Sequence, residues 1–179
     1  RLCGAEIRAK DFGLRQAREH ELFQGLDGRE IELDPRVQVV TCRDRAAAVA
    51  GVIGSAESGV TDSTRRIWLE SALFTPASVR NGSRATGQRT DASSRYEKGL
   101  PREITLIAAG RALTLFREML GAEIGDTWVC SAEQGDDPVV TLRRSSLHRL
   151  LGPLESPDSN GQPEPLADGQ VEACLAALG

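Results

Sequence analysis

One carboxylate lies inside an apolar stretch, where folding alone does not explain it. Glu70 interrupts the run from Ile67 to Phe74, which the pattern otherwise predicts to be a β-strand. An ionised carboxylate in such a strand is costly unless it is exposed or paired. Glu70 is therefore a candidate for contact with a ligand or a partner.

Two further segments have residue types suited to binding. The sequence Thr90-Asp91-Ala92-Ser93 places a hydroxyl beside a small side chain, and taken alone it is typical of a capped turn before a helix. Gly51 and Gly54 form a glycine pair three residues apart, which is typical of a tight turn at a strand end. Glycines also let backbone N–H groups approach a ligand closely. The residues themselves leave both alternatives open.

Familiar catalytic and metal-binding patterns are absent from the sequence. It contains no Gly-x-Ser-x-Gly, no Walker A loop and no His-Glu-x-x-His. Its four cysteines form no Cys-x-x-Cys, so neither a zinc site nor a redox pair is indicated. The two histidines, His20 and His148, lie beside no plausible nucleophile and are expected on the surface or in helix packing. We expect no metal ligand and no certain catalytic side chain.

The charge distribution is uneven. The chain has a formal net charge of −4, from 22 Lys and Arg against 26 Asp and Glu, which argues against nucleic-acid binding over the whole surface. Residues 80 to 102 form a basic strip with a local net charge of +4. Such a strip is expected where a protein meets a phosphate backbone at one place only, although a solvated helix face has the same composition. Four cations of this strip are our candidates for RNA binding: Arg80, Arg84, Arg89 and Lys98.

The predicted elements begin with strands and end with helices. Extended structure is expected over 14–42 with a hairpin turn at Asp27-Gly28, and further strands over 37–40, 46–53, 67–74 and 139–142. Helices are expected from Thr75-Pro76 to about residue 85, over 101–120 as the principal core helix, after a cap at Ser145, and over 168–178. This order predicts an α+β fold, with mixed or antiparallel sheets and helices on one side.

Composition also suggests how the chain is divided. Residues 131–137 and 153–168 are rich in Ser, Pro, Gly, Asp and Glu, as linkers or long loops are. We expect a first domain over 1–130, a linker over 131–138 and part of a following domain over 139–179. No apolar run approaches the roughly 20 residues that cross a bilayer, and no signal peptide is evident, so a soluble cytoplasmic protein without membrane contact is expected.

The motifs acquire a specific meaning when they are taken together. The run Leu-Glu-Ser-Ala-Leu-Phe-Thr-Pro at 69–76, followed by Arg-Thr-Asp-Ala-Ser-Ser-Arg-Tyr-Glu-Lys-Gly at 89–99, resembles the editing region of the bacterial-type phenylalanyl-tRNA synthetase β subunit. Flanking matches at 26–33, 50–54 and 57–62 extend the resemblance over roughly residues 14 to 121. The resemblance implies an editing domain truncated at its N-terminus, followed by a partial, helix-rich and winged-helix-like domain.

The resemblance also implies a binding pocket. Gly54, Glu70, Thr90 and Ala92 match residues of the family's editing site, in which Glu70 corresponds to the glutamate that binds the hydroxyl of a tyrosyl group. Thr90 offers a hydroxyl for positioning substrate or water, and Ala92 keeps the space open. Hydrolysis is expected to rely on a positioned water, polar backbone groups and the terminal ribose hydroxyl of the tRNA.

The partners and cofactors follow from the same resemblance. The whole enzyme of the family is an α2β2 assembly that joins phenylalanine to tRNA(Phe) with ATP and magnesium, and no cofactor or DNA contact is expected of this chain. Two alternatives remain open. One is a non-catalytic RNA-binding or subunit-interaction module of the same fold, and the other is a free-standing homologue of the editing domain.

Overall fold

A computed structural model describes residues 7–130, 139–153 and 162–178. The chain divides into two compact units, residues 1–129 and 130–179. The predicted linker over 131–138 lies outside the described residues. The α+β class is confirmed, because the first unit combines two antiparallel sheets with helices. The winged-helix character of the second unit stays a prediction.

A four-stranded antiparallel sheet in the order β1-β4-β5-β6 forms the centre of the first unit, beside a two-stranded hairpin of β2 and β3. The strands are β1 (Phe12–Gln16), β2 (Glu21–Gln24), β3 (Glu30–Leu33), β4 (Gln38–Cys42), β5 (Arg45–Val49) and β6 (Ile53–Gly54). The helices are α1 (Pro76–Thr86), α2 (Asp91–Tyr96), α3 (Glu103–Leu120), α4 (Arg144–Leu151) and α5 (Asp168–Ala176).

The predicted hairpin forms at Asp27-Gly28. Gly28 adopts φ 81°, which glycine tolerates without the steric penalty of a side chain. In β3, Ile31 and Leu33 point towards the core while their glutamate neighbours are exposed, as a period of two requires. The Leu26 N–H donates to the Gly54 carbonyl at 2.9 Å and so joins the hairpin to the larger sheet.

The hydrophobic core lies between the sheets and α1. Its buried members are Ala17, Phe23, Leu33, Val37, Val39, Val49, Val52 and Val79. Val79 is the contribution of α1, which packs against β3 and β4. This helix begins at Pro76 and ends at Gly87 in the left-handed conformation, as the Thr-Pro start and glycine stop predict.

The stretch over 46–53 is not the single strand that its apolar character predicts. β5 ends at Val49, a turn follows at Ala50 to Val52, and β6 begins at Ile53. Gly51 turns the chain with φ 68°, and a Cβ there would lie 2.8 Å from Val79 Cγ2. A left-handed backbone and a close approach to α1 therefore both require glycine.

Two other predicted strands are also wrong. Residues 67–74 and 139–142 have no strand conformation in the structure. A strand needs a neighbour that completes its hydrogen-bond ladder, and an apolar sequence does not reveal whether one is available. In the first segment, the Trp68 ring instead contacts those of Phe12 and Trp128 in tilted arrangements, with centroids 5.4 and 4.7 Å away.

The helix over 103–120 forms close to its predicted bounds, but its role as the principal core helix is wrong. None of its described residues is buried, and Leu106, Ile107 and Met119 are all well exposed. Helical periodicity identifies a face that is able to pack, not the surface that covers it.

The second unit is stabilised locally, since Arg144 forms an ion pair with Asp168 and His148 contacts the Leu166 carbonyl at 3.0 Å. Its helix α4 starts before Ser145, which lies inside the helix and is not its cap.

Candidate functional site

Glu70 lies in the irregular segment that precedes α1, where its carboxylate is available to accept a hydrogen bond. Glu70 is exposed, but partial desolvation by nearby protein atoms raises the pKa of its carboxyl above the usual 4.5. No cation or hydrogen-bond donor among the described residues pairs with that carboxylate. Glu70 therefore differs from a fully solvated surface glutamate in its raised pKa and in having no partner among the described residues.

Tyr96 is the described residue that interacts with Glu70. Burial of the half-exposed phenol raises the Tyr96 pKa, and the nearby Glu70 charge raises it further. The ring of Tyr96 also contacts that of Phe74, with centroids 6.2 Å apart. Sequence reasoning assigned no role to Tyr96. Its helical spacing of four residues from Ala92, which puts both on one face of α2, was the signal that could have identified it.

Thr90 forms the N-cap of α2 and joins this helix to the turn between β5 and β6. Its hydroxyl donates to the Val52 carbonyl at 2.7 Å and accepts from the Ser93 N–H at 3.1 Å. The Ser93 hydroxyl in turn accepts from the Thr90 N–H at 2.9 Å, which completes a reciprocal cap. A hydroxyl has one proton and two lone pairs, so Thr90 can accept one further hydrogen bond but has no proton to donate.

Gly54 and Ala92 are the small residues among the candidates. Gly54 lies in β6, where a Cβ would be 3.0 Å from Leu26 Cδ1. Ala92 is exposed on the first turn of α2, two residues beyond Thr90. Both positions keep side-chain volume low beside residues that the sequence predicts to bind a ligand.

Helix α2 connects the four predicted pocket residues. Its cap Thr90 is hydrogen-bonded to Val52, in the segment that leads into Gly54, and Ala92 is on its first turn. Its last residue is Tyr96, whose pKa is raised in part by the charge of Glu70. Six residues at 1.5 Å each make α2 ~9 Å long. The chemical elements of the arrangement are an acceptor without a described partner, the Tyr96 phenol that interacts with it, and two small residues near the Thr90 cap.

The four predicted RNA-binding cations line one concavity of about 480 Å³, formed by α1, the loop that joins α1 to α2, and the residues that follow α2. Glu97 is the carboxylate in this wall; it lies 3.7 Å from Arg89, and its backbone carbonyl accepts from Arg80 at 3.3 Å. Gly54, Glu70, Thr90 and Ala92 do not line it. The structure thus gathers four of the six cations of the strip into one basic concavity beside α2, and Glu70 does not line it.

Replacing Glu70 with glutamine is expected to stabilise the unliganded protein near neutral pH. Because the folded-state pKa is raised, the ionised carboxylate opposes folding; this penalty is absent below the unfolded pKa and appears as pH rises through the folded one. Urea denaturation of both proteins between pH 4 and 8 should show a stability difference in favour of Glu70→Gln that opens with increasing pH. The matched exposed variant Glu118→Gln should show no such opening, and equal behaviour of the two would contradict desolvation at Glu70.

Comparison with known proteins places this arrangement in a family. The model of the B3/4 domain matches residues 5–121. The chain therefore belongs to the B3/4 domain family. Within the described residues, no helix has the length and apolarity to cross a membrane, and no group of His, Cys, Asp and Glu could hold a metal ion.

Individual relatives are closely similar over nearly the whole chain. It is 56% identical over 178 residues to the phenylalanine–tRNA ligase beta subunit of Parasynechococcus marenigrum (strain WH8102), and 54% identical to that of Synechococcus sp. (strain CC9605). The same subunit of Prochlorococcus marinus (strain MIT 9313) is 52% identical. Each match covers 99% of this chain and 22% of the relative, so the chain spans about a fifth of the length of these proteins. The resemblance to the aminoacyl-tRNA synthetase β subunit is thereby confirmed.

Proposed function

We propose that this chain carries the proofreading site of a phenylalanine–tRNA ligase β subunit and hydrolyses tyrosine mistakenly attached to tRNA(Phe). The observation that supports this most strongly is the Glu70 carboxylate, which is desolvated and has no partner among the described residues. Leaving an acceptor unpaired in this way lowers stability, so a ligand that supplies a donor explains it better than folding does.

The need for a second site follows from the energetics of discrimination. A synthetic pocket shaped for a phenyl ring rejects an added hydroxyl by only about a hundredfold, because an apolar pocket has no strong means of excluding it. A site that binds the hydroxyl directly reverses this preference. Glu70 would accept a hydrogen bond from the tyrosyl phenol, whereas phenylalanine would leave the carboxylate unpaired, at a cost of ~1–3 kcal/mol.

The remaining residues would orient the ester. Thr90 fixes α2 against the turn between β5 and β6 and has one lone pair left, which suits it to accept from a water or a ribose hydroxyl but not to act as an acid. No side chain is assigned as the general base. The attacking water would be positioned by backbone polar groups and by the terminal ribose hydroxyl of the tRNA, so that rate enhancement comes mainly from orientation.

The assembly would be that of the relatives. We propose an α subunit as the partner in an α2β2 ligase, tRNA(Phe) as the macromolecular substrate, and the cytoplasm as the location. ATP and magnesium would serve the attachment of phenylalanine by the whole enzyme, and we assign no residue of this chain to either.

The basic concavity favours one alternative function, an RNA-binding module that lacks hydrolytic activity. The two readings differ in their dependence on the Glu70 pocket, because a binding module needs the cations but not the carboxylate. Co-purification with the α subunit would exclude the free-standing editing homologue, and hydrolysis of tyrosyl-tRNA(Phe) would exclude the non-catalytic subunit-interaction module.

Enlarging Ala92 tests the proposal by steric exclusion. Ala92→Trp in the complete ligase should reduce hydrolysis of tyrosyl-tRNA(Phe) by at least about tenfold, because the indole would occupy space needed by the tyrosyl ring; this corresponds to ~1.4 kcal/mol. Ala92 is exposed, so folding should survive the change. Ala92→Ser, which adds little volume, is the matched control. Full activity of the folded tryptophan variant would contradict a pocket at this position.

A further inference from the structure

We infer that the basic concavity is a clamp for the sugar-phosphate backbone of single-stranded RNA, and that it holds the last nucleotides of the tRNA while the aminoacyl group enters the Glu70 pocket. This deepens the proposed function and rests on it for the identity of the RNA. The inference depends on the charge balance of the concavity, on its lining and on its position beside α2.

The charge balance exceeds what folding needs. Arg80, Arg84, Arg89 and Lys98 face one carboxylate, Glu97, so the wall has three uncompensated positive charges. Cations do favour helix C-termini, and two helices end here. Each helix terminus, however, offers only about half an elementary charge, so α1 and α2 together neutralise about one unit. About two positive charges remain to attract an anion.

The lining indicates which anion fits. The volume of about 480 Å³ would accommodate a nucleotide-sized group, and three of the cations are arginines, which bind phosphate through paired N–H donors. No aromatic ring is among the described residues that line it. Bases therefore have no stacking platform, and we expect contact with phosphates without readout of base identity.

The position connects the concavity with the pocket. Arg89 directly precedes Thr90, and Glu97 directly follows Tyr96, so both ends of α2 contribute neighbouring residues to the two sites. The two sites thus lie beside the same short helix. An RNA strand whose phosphates lie in the concavity would therefore need to pass only along α2 for its terminal ester to reach Glu70.

The test measures binding of unacylated tRNA(Phe) to the whole 179-residue chain by fluorescence anisotropy between about 50 and 200 mM salt. Arg84→Gln combined with Lys98→Gln should lower the slope of log affinity against log salt by ~1.4, because each lost phosphate contact with single-stranded RNA removes ~0.7. The same arithmetic gives a dissociation constant about 25-fold higher near 0.1 M salt. Arg111→Gln with Arg117→Gln removes two exposed cations of α3 and is the matched control.

Two further measurements specify the inference. Glu97→Gln should strengthen binding, since it removes the carboxylate that competes for Arg89. Trimming the last four nucleotides of the tRNA should weaken binding by the parent and abolish the difference between the parent and Arg84→Gln/Lys98→Gln. The clamp would be overturned if the concavity pair and the control pair changed RNA affinity equally, or if Glu97→Gln bound RNA more weakly. It would also be overturned if the parent and Arg84→Gln/Lys98→Gln still differed in affinity for the trimmed tRNA.

The outcomes separate this inference from the proposed function. If the concavity variants bind RNA normally but the parent ligase hydrolyses tyrosyl-tRNA, the clamp is wrong and the proofreading site stands. If those variants lose RNA affinity and the parent ligase shows no hydrolysis, the concavity binds RNA without a proofreading role. Loss of α-subunit assembly with unchanged RNA affinity would overturn the clamp in favour of a protein interface.

Discussion

Replacing Glu70 with alanine is expected to slow hydrolysis of tyrosyl-tRNA(Phe) by the complete ligase by about 10- to 100-fold. The reason is the loss of one hydrogen bond between the carboxylate and the tyrosyl hydroxyl, which corresponds to ~1.4–2.8 kcal/mol of transition-state stabilisation. Attachment of phenylalanine should remain nearly unchanged, because we assign no residue of this chain to that reaction. Both rates are measured on the same enzyme preparation, with single-turnover hydrolysis of purified tyrosyl-tRNA.

The matched control for this prediction is Glu118→Ala, which removes an exposed carboxylate from α3. It should leave both rates at the parental level. Glu70→Gln refines the result, since its amide oxygen can still accept a hydrogen bond but carries no charge, and an intermediate rate is expected. Parental hydrolysis by a folded Glu70→Ala enzyme would remove Glu70 from the site.

The second large effect concerns stability. Gly51→Val is expected to destabilise the fold by about 2–5 kcal/mol, from ~1–2 kcal/mol for a side chain in the left-handed conformation and ~1–3 kcal/mol for overpacking. The steric part arises because a Cβ at this position lies 2.8 Å from a methyl group of Val79, which is fully buried, and 3.2 Å from the Phe74 ring. Urea denaturation followed by tryptophan fluorescence measures the change.

A second glycine separates the two causes of that loss. Gly121 has φ 61°, close to the 68° of Gly51, but no atom lies within 4 Å of its hypothetical Cβ. Gly121→Val should therefore show the conformational penalty alone and lose less stability than Gly51→Val. Equal losses would mean that the contact with Val79 relaxes and that the backbone conformation accounts for the whole effect.

Turn and capping residues in the sequence predicted the hairpin and the bounds of α1, because neighbouring residues decide these features. The hairpin at Asp27-Gly28 needs a residue that tolerates positive φ, and the bounds of α1 follow from proline at its start and glycine after its end. The α+β class follows from the order of such elements. Each of these features depends on residues that are near one another in sequence.

The failures that affect the site most concern partners that are distant in sequence. The 67–74 segment is apolar like a strand but has no ladder among the described residues, and α3 is periodic but not covered. The bond from Thr90 to the Val52 carbonyl spans 38 residues, and no motif reports it. Glu70 was singled out as a carboxylate in an apolar strand, but the structure shows an irregular, exposed residue with a desolvated carboxyl.

The pocket residues illustrate the same limit. Resemblance selected Gly54, Glu70, Thr90 and Ala92, and α2 is the element that connects them in the structure. Their roles towards a substrate stay predictions, since they depend on a bound ester. Tyr96 was overlooked because its relation to Glu70 exists only after the chain has folded.

The most direct test of proofreading is the ratio of hydrolysis rates for tyrosyl-tRNA(Phe) and phenylalanyl-tRNA(Phe), measured under single-turnover conditions with the complete parental ligase and with Glu70→Ala. A carboxylate that binds the phenolic hydroxyl predicts that the parent cleaves the tyrosyl ester at least about tenfold faster, and that Glu70→Ala loses most of this preference. Equal cleavage of both esters by the parent, or an undiminished preference in Glu70→Ala, would contradict it.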